Sequence, residues 1–374
     1  RDLGKLDEAE LSYRKAIELK PQYAYACLNL GLILKDRGNL QDAELATRKA
    51  IKINPNFAKA HYNLGNILKD LGNLQEAELS IRKAIKINPD FAEAHCNLGN
   101  ILSIFGNLKD AEVSYCQAIE LNPNLTSVYY ALSKLNNFEN TKKYKNQIFS
   151  KTILNNKIVV DQVNIYFARA NFLHKEKNYN DSAKYLKLAN KLKITLEPFN
   201  SDLLINKSQL LLLESDKELI NKQLDQQTSE SIFIVGMPRS GSTLVESILS
   251  INPNVNDLGE INILEDSFLE QQRDDKGLSL YESYLKKTIS RGDKEYITTN
   301  KWLFNYQYAG IISSQIPNAK IIHCYRNPLD NILSIYRTHF ATGNKYSSSL
   351  IDCARVYLDQ EKIMTEYKNR FRSN

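Results

Sequence analysis

The first 126 residues repeat a pattern with a period of 34 residues. Between the repeated positions, apolar residues recur at i, i+3, i+4 and i+7, the spacing of amphipathic helices. Each unit carries a glycine in its middle and an Asn-Pro or similar step at its end, so it predicts two short helices. Such helix pairs cannot bury their apolar faces alone and are expected to stack into a solenoid with a concave groove. Three residue types mark the period: Gly4, Gly38, Gly72 and Gly106; Pro21, Pro55, Pro89 and Pro123; Ala16, Ala50, Ala84 and Ala118.

This repeat resembles the tetratricopeptide repeat, which has 34 residues, small residues where helices touch and a closing proline. Arg1 falls after the first helix of a unit, so we expect the chain to begin inside a repeat and further sequence to precede it. Residues 127–229 keep helical spacing but lose the glycine and proline markers. We interpret them as degenerate repeats followed by a helical connector, and residues 230–374 as a different domain.

An asparagine recurs in the first helix of successive units, at Asn29, Asn63 and Asn97. In some tetratricopeptide superhelices an asparagine at this point lines the groove and binds peptide backbone. A side-chain amide offers both a donor and an acceptor, as a peptide unit does. One hypothesis is therefore that these asparagines bind a peptide or protein partner. The alternative is that the Asn-Leu-Gly triplet is only common repeat consensus.

Histidines and cysteines give no metal or disulfide pattern. His61 and His95 lie 34 residues apart, in a register where the repeat needs a bulky packing residue, and no further ligand accompanies them. We therefore expect a packing role and no metal. The odd number of cysteines and the lack of CxxC spacing predict reduced thiols and a reducing, cytoplasmic location. The cysteines are Cys27, Cys96, Cys116, Cys324 and Cys353.

Composition sets broad limits on the class of protein. The chain has 374 residues, 43% hydrophobic and 25% charged, which is typical of two or three globular domains. The net charge of +6 comes without a polybasic block, so no nucleic-acid partner is implied and a localised anion site fits better. No run approaches the roughly 18 apolar residues of a membrane-spanning helix, so no membrane segment is expected.

The periodicity changes at residue 232. Ile232 to Gly236 predicts a short buried strand, and the glycine-containing stretch Gly236 to Thr243 leads into a helical segment. Strand, glycine loop and helix in this order are the setting of an anion-binding loop. The spacing matches the phosphate loop GxxxxGK[ST], except that Ser242 replaces the lysine. Because that lysine serves β- and γ-phosphates, a nucleotide triphosphatase or kinase is disfavoured, and a donor with one 5′-phosphate plus a transferable group fits better.

The loop resembles the 5′-phosphosulfate loop of sulfotransferases, which move a sulfuryl group from 3′-phosphoadenosine 5′-phosphosulfate (PAPS) to an acceptor. The likeness continues with Arg326, at the end of a strand-like segment, and Ser334, expected at the start of a helix. They match the family's 3′-phosphate site, where an arginine and a hydroxyl suit a phosphate dianion. The resemblance implies that the 5′ end is bound by Pro238, Arg239, Ser240, Gly241, Ser242, Thr243 and Leu244.

Two further residues are similar to the catalytic pair of tyrosylprotein sulfotransferases and their bacterial relatives. Glu260 stands at the position of the family's catalytic glutamate, and Lys301 matches a lysine that faces the leaving group. The resemblance implies that Glu260 accepts the acceptor's proton and that Lys301 and Arg239 stabilise the developing charge. His323 lies within the expected buried strand and is interpreted as a packing imidazole.

The resemblance implies an N-terminal all-α tetratricopeptide-repeat solenoid and a C-terminal α/β sulfotransferase domain with a parallel sheet. Residues 230–374 are few for such a domain, so we expect it to be incomplete. One alternative is a repeat scaffold whose second domain has lost catalysis; a less favoured one is a kinase-like enzyme. The acceptor stays open between a peptide or protein, a carbohydrate and a lipid.

Overall fold

The computed structural model describes six stretches of the chain, residues 5–135, 141–217, 230–273, 278–289, 297–340 and 343–370. The chain divides into two compact units, Arg1–Ala189 and Asn190–Asn374. The limits inferred from the sequence, at residues 126 and 229, stay a prediction.

The described part of the first unit consists of short helices, and among the first eight each helix packs against its neighbour in the chain. The described region begins with the second helix of a repeat unit, as the register predicted. The helices are α1 (Leu6–Leu19), α2 (Ala24–Asp36), α3 (Leu40–Ile53), α4 (Ala58–Asp70), α5 (Leu74–Ile87), α6 (Ala92–Ile104), α7 (Leu108–Leu121), α8 (Thr126–Lys134), α9 (Thr141–Phe149), α10 (Val159–Lys175) and α11 (Tyr179–Leu196), whose last residues enter the second unit.

Small residues allow the close helix contacts within each pair. A Cβ atom placed on Gly65 of α4 would lie 2.6 Å from the side chain of Ile81 on α5. Ala84, on the same face of α5, is fully buried. A larger side chain at either position would force the helices apart. Beyond residue 126 the glycine and proline markers are absent, but one continuous apolar cluster runs from Leu64 to Phe172.

The repeated histidines hydrogen-bond within their own repeat region. Nε2 of His61 lies 2.9 Å from the carbonyl oxygen of Pro55, and Nε2 of His95 lies 2.9 Å from that of Pro89. Each imidazole therefore connects the first helix of one unit to the turn that precedes it.

The second unit combines a parallel sheet with helices. Its described α-helices and strands are α12 (Ser201–Lys217), β1 (Ser231–Gly236), α13 (Ser242–Leu249), β2 (Val255–Asp257), α14 (Ile263–Arg273), α15 (Leu280–Ile289), β3 (Ile297–Asn300), α16 (Ala309–Gln315), β4 (Ala319–Cys324), α17 (Pro328–Tyr336) and α18 (Leu350–Arg370). Among the described residues, the strands are ordered β2-β3-β1-β4 and their pairings are parallel.

The strand β1 lies at the centre of the sheet and is almost entirely buried. Both faces of a parallel sheet are covered in such folds, which explains its uninterrupted apolar sequence. Phe233 of β1 packs in one apolar cluster with Leu264, Ile311 and Leu211 of α12. Gly236 pairs with Cys324, so β1 and β4 end at the same edge of the sheet.

The structure differs from the sequence expectation at Ser334, which lies in the last turn of α17 and not at its start. The helix begins earlier because Asn327 caps it, accepting hydrogen bonds from the backbone amides of Leu329 and Asp330, and because Pro328 occupies its first turn. Across the described residues, no helix is long and apolar enough to cross a membrane.

Candidate active site

The loop between β1 and α13 has a backbone that strongly constrains its sequence. Gly236 has φ of 150°, and a Cβ atom there would lie 2.3 Å from the carbonyl oxygen of Cys324. Arg239 and Gly241 also have positive φ values, of 68° and 103°. Gly241 is the N-cap of α13, and having no side chain it cannot cap the first-turn amides of the helix. Those N–H groups are thus available to an anion at the helix N-terminus.

The hydroxyl of Ser240 is a second available donor in the loop. Its Oγ atom is buried and has no hydrogen-bond partner among the described residues. Ser242 is buried at the first position of α13, whereas Thr243 and Leu244 are exposed. A buried hydroxyl without a partner costs free energy unless a ligand or water satisfies it. The loop therefore offers donors that suit a phosphate.

The loop is tied to α17 at two points. Nε of the exposed Arg239 donates to Oγ of Ser334 at 3.3 Å, and Nδ2 of the fully buried Asn331 donates to the carbonyl oxygen of Pro238 at 3.0 Å. Asn331 was not identified from the sequence, although it lies one turn before Ser334 and on the same helix face.

Arg326 follows β4 at the same edge of the sheet. Its carbonyl oxygen accepts a hydrogen bond of 2.8 Å from the hydroxyl of Tyr357 on α18, and its side chain is exposed. Arg239 follows β1, the strand that pairs with β4. The structure therefore places both arginines in loops that leave adjacent parallel strands in the same direction.

Lys301 brings the remaining candidate residues together. Its Nζ atom lies 3.1 Å from Oε1 of Glu260 and donates to Oγ1 of Thr243 at 3.2 Å. The Lys301 side chain is 7% exposed and the Glu260 side chain 56% exposed. The backbone amide of Lys301 donates to the carbonyl oxygen of Gly259 at 3.1 Å, which holds the two segments side by side. An exposed carboxylate, a buried ammonium and the first turn of α13 thus meet at one point.

A second carboxylate, not identified from the sequence, also contacts this ammonium. Oε2 of Glu246 lies 3.1 Å from Nζ of Lys301, and the Glu246 side chain is 5% exposed. Burial, and then a hydrogen bond with Asp257, raise the pKa of Glu246 to about 7, while Lys301 acts in the opposite direction. Burial tends to lower the pKa of Lys301, but the charges of Glu246 and Glu260 outweigh it and the pKa is raised. The ammonium is therefore charged at neutral pH.

His323 lies away from this cluster of side chains. Its ring nitrogens contact Gln360 and Lys368 of α18, at 3.1 and 3.2 Å. Burial and the charge of Lys368 lower the pKa of His323 to about 4. Within the described ranges, no group of three or more His, Cys, Asp or Glu side chains could hold a metal ion.

Comparison with known families assigns both parts of the chain. Residues 231–374 match a model described as "Sulfotransferase family". Residues 1–38, 31–72, 58–91 and 81–113 match models of the tetratricopeptide repeat. The chain thus joins tetratricopeptide repeats to a sulfotransferase-family domain. The predicted fold class, a repeat solenoid followed by an α/β domain with a parallel sheet, is confirmed.

Individual relatives are distant. An uncharacterized protein of Aquifex aeolicus (strain VF5) is 28% identical over 222 residues, which are 51% of this chain but only 28% of that protein. The crystal structure of MamA is 22% identical, with 48% of this chain and 94% of MamA covered and a TM-score of 0.35. YrrB, described as a TPR protein with an unusual peptide-binding site, is 21% identical, with 48% and 91% covered and a TM-score of 0.38.

Proposed function

We propose that residues 231–374 transfer a sulfuryl group from PAPS to an acceptor hydroxyl. The observation that carries this proposal is the position of the Lys301 ammonium, 3.1 Å from Glu260 and 3.2 Å from Thr243. A carboxylate that can accept a proton, a cation that can stabilise a leaving group and an anion-binding helix terminus converge there. The match of residues 231–374 to the Sulfotransferase family supports the same reaction.

The available donors fit a bisphosphorylated nucleotide. Loop amides and the hydroxyls of Ser240, Ser242 and Thr243 would bind the 5′-phosphate, with Pro238 and Leu244 flanking it. At the same edge of the sheet, Arg326 and Ser334 would bind the 3′-phosphate. The donor supplies a sulfuryl group attached to a phosphate that is a good leaving group.

Glu260 would act on the acceptor. Its exposed carboxylate takes the proton from the acceptor hydroxyl as the acceptor oxygen forms its bond to sulfur and the bond between sulfur and the 5′-phosphate oxygen breaks. Lys301 and Arg239 stabilise the negative charge that builds on that phosphate oxygen. The products are the sulfated acceptor and 3′-phosphoadenosine 5′-phosphate, and the proton stays on Glu260 until water removes it.

Calorimetry with 3′-phosphoadenosine 5′-phosphate and, separately, ATP tests the nucleotide assignment. We expect the bisphosphate to bind more tightly, and Arg326→Ala to weaken it about 10- to 100-fold, as the loss of a charge-assisted contact does. Lys320→Ala is the matched control, because it removes the same charge from an exposed position at the other end of β4. Tighter binding of ATP would favour a kinase-like enzyme, and binding of neither nucleotide would favour a scaffold.

We also propose that the repeats bind a peptide or protein acceptor through Asn29, Asn63 and Asn97. All three side chains are half-buried. Asn97 already bonds within the protein, since its Nδ2 donates to Oδ1 of Asn66 at 2.6 Å and its Oδ1 accepts from Asn100 at 3.3 Å. A bound peptide would have to replace or share these bonds at Asn97.

Transfer of ³⁵S from labelled PAPS to a peptide array, with polysaccharide and glycolipid samples beside it, tests the acceptor class. Replacing the three asparagines by alanine is expected to reduce peptide labelling at least about tenfold, because side-chain hydrogen bonds to the peptide are lost. The control replaces Asn54, Asn88 and Asn122, which share a register at the helix ends. Equal labelling by both variants would contradict peptide binding by this series, and labelling of sugars or lipids alone would contradict a peptide acceptor.

The state of the cysteines supports a proposed reducing location such as the cytoplasm. All five are free thiols. Burial raises the pKa of each thiol, to about 12 at Cys96 and Cys353, which keeps the thiols protonated and unreactive. Thiol titration of the native protein and of the protein unfolded in guanidinium should find all five cysteines reduced and most of them protected by the fold.

A further inference from the structure

We propose that Glu246 is a positioning residue that holds the ammonium of Lys301 against Thr243 and so leaves Glu260 free to accept a proton. The consequence for catalysis rests on the proposed sulfuryl transfer. The contact between Glu246 and Lys301 does not depend on it.

The burial of the two carboxylates distinguishes their roles. Nζ of Lys301 lies 3.1 Å from Oε2 of Glu246 and 3.1 Å from Oε1 of Glu260, yet the Glu246 side chain is 5% exposed and that of Glu260 56% exposed. A buried ammonium needs a counter-ion that does not move into solvent. Glu246 meets this requirement, whereas Glu260 is exposed enough to meet an acceptor.

Local geometry explains why Glu246 can reach the ammonium. It follows Thr243 by three residues on α13, so the two side chains lie on the same helix face. Thr299 precedes Lys301 by two residues, which places both on one side of the extended chain. Oγ1 of Thr299 donates to Oε1 of Glu246 at 3.4 Å, and Nζ of Lys301 donates to Thr243. Glu246 and Thr243 of α13 thus contact Thr299 of β3 and Lys301, which follows the strand.

Charge balance gives the consequence for Glu260. With Glu246 present, Lys301 shares its charge between two carboxylates. Without Glu246, Glu260 would be the one carboxylate among the described residues in contact with this ammonium. A stronger ion pair stabilises the charged form of a carboxylate and makes it a poorer base. Loss of Glu246 should therefore slow turnover even though Glu260 remains.

Nuclear magnetic resonance of the full chain with ¹⁵N-labelled lysine tests the contact without any acceptor. The side-chain signal of Lys301 is assigned by its absence in Lys301→Arg. In Glu246→Gln the pKa of Lys301 should fall, because a counter-ion is lost, and in Glu246→Asp it should fall less. Glu265→Gln is the matched control, since it removes a carboxylate that pairs with Lys207 in the same unit. An unchanged Lys301 pKa in folded Glu246→Gln would overturn the proposal.

Turnover of PAPS and calorimetry with 3′-phosphoadenosine 5′-phosphate test the consequence. Glu246→Gln should lower kcat about 10- to 100-fold, the range for one charge-assisted hydrogen bond, with bisphosphate affinity changed less than about twofold. Glu246→Asp should restore part of the rate, and Glu265→Gln should resemble wild type. If Glu246→Gln lowered bisphosphate affinity by the same factor as kcat, Glu246 would be assigned to donor binding and the positioning role would be overturned. If Lys301 responds in the resonance experiment while wild type transfers no sulfuryl group, the proposed function is wrong and the Lys301 contact stands.

Discussion

Nε of Arg239 lies 3.3 Å from Oγ of Ser334, although the two residues are 95 positions apart in the chain. They meet because β1 and β4 are neighbours in the sheet, with Gly236 opposite Cys324, so that the segments following the two strands emerge together. A guanidinium and a hydroxyl in contact with each other offer several donors to phosphate groups that bind nearby. This contact links the candidate 5′-phosphate loop to the helix that carries the candidate 3′-phosphate residue.

Replacing Glu260 by glutamine should abolish turnover of PAPS and leave binding of 3′-phosphoadenosine 5′-phosphate within about threefold of wild type. Glutamine keeps the size of the side chain but cannot accept the proton, and loss of a general base costs roughly 10²- to 10⁴-fold in rate. Radiolabel transfer and calorimetry measure the two quantities. Glu282→Gln, a substitution on α15, is the control and should be active. Normal turnover by Glu260→Gln would assign the base to another residue.

Alanine at Gly236 should destabilise the second unit more than alanine at Gly241. Both glycines have positive φ, which costs about 1 kcal/mol for an alanine. Only at Gly236 would the added Cβ also meet a backbone oxygen, that of Cys324 at 2.3 Å; at Gly241 no atom lies within 4 Å. We expect about 3 kcal/mol or more of destabilisation at Gly236 and about 1 kcal/mol at Gly241, measured by denaturant unfolding. Equal effects would contradict the close strand contact.

Asparagine at Asp257 should move the acid limb of the pH–rate profile to lower pH. Burial and then the hydrogen bond with Asp257 raise the pKa of Glu246 to about 7, so Glu246 loses its charge as the pH falls through that value and Lys301 loses a counter-ion. Asp257→Asn removes one of the raising effects, and the charged form of Glu246 persists to lower pH. Turnover measured from pH 5 to 9 checks this, with Asp266→Asn on α14 as control. An unmoved limb would show that Glu246 does not govern it.

His323 should make the second unit less stable in mild acid. The pKa of His323 is lowered to about 4 by burial and by Lys368, whereas in the unfolded chain it is near 6.5. The unfolded state therefore binds more protons between these values, and the contribution of His323 is fully present above pH 6.5 and is lost as the pH falls towards 4. The loss amounts to about 3 kcal/mol. His323→Gln should flatten this part of the curve of unfolding free energy against pH, and an equal slope in both proteins would contradict it.

A fragment of residues 190–374 should fold more stably than one of residues 230–374, because α12 contributes to the core of the second unit. Leu211 packs in the cluster that contains Phe233, and Oγ of Ser208 donates to Oδ2 of the buried Asp359 at 2.7 Å. Removing α12 would expose apolar area and leave Asp359 without this bond. Circular dichroism melts of the two fragments measure the difference. Equal stability would support the domain limit at residue 229 that the sequence predicts.

Local patterns in the sequence predicted much of this fold. These patterns are the 34-residue period, the small residues at helix contacts and the buried strand before a glycine loop. Each reflects the conformational preferences of residues that lie close together in the chain. The roles of Glu260, Lys301, Arg239, Arg326 and Ser334 stay predictions that came from family resemblance. The start of α17 differs from the sequence prediction because Asn327 caps the helix and Pro328 occupies its first turn, so that the helix begins before Ser334.

The sequence by itself determined the repeat architecture and the order of strand, glycine loop and helix from β1 to α13, since both depend on the backbone preferences of nearby residues. Only the tertiary structure decided which side chains meet at the loop. Glu246 contacts Lys301, and Asn331 contacts Pro238, although the members of each pair are far apart in the chain. Their contacts follow from the strand order β2-β3-β1-β4, which sets α13 beside the end of β3 and α17 beside the loop. Strand order depends on the packing of the whole unit, and no local pattern encodes it.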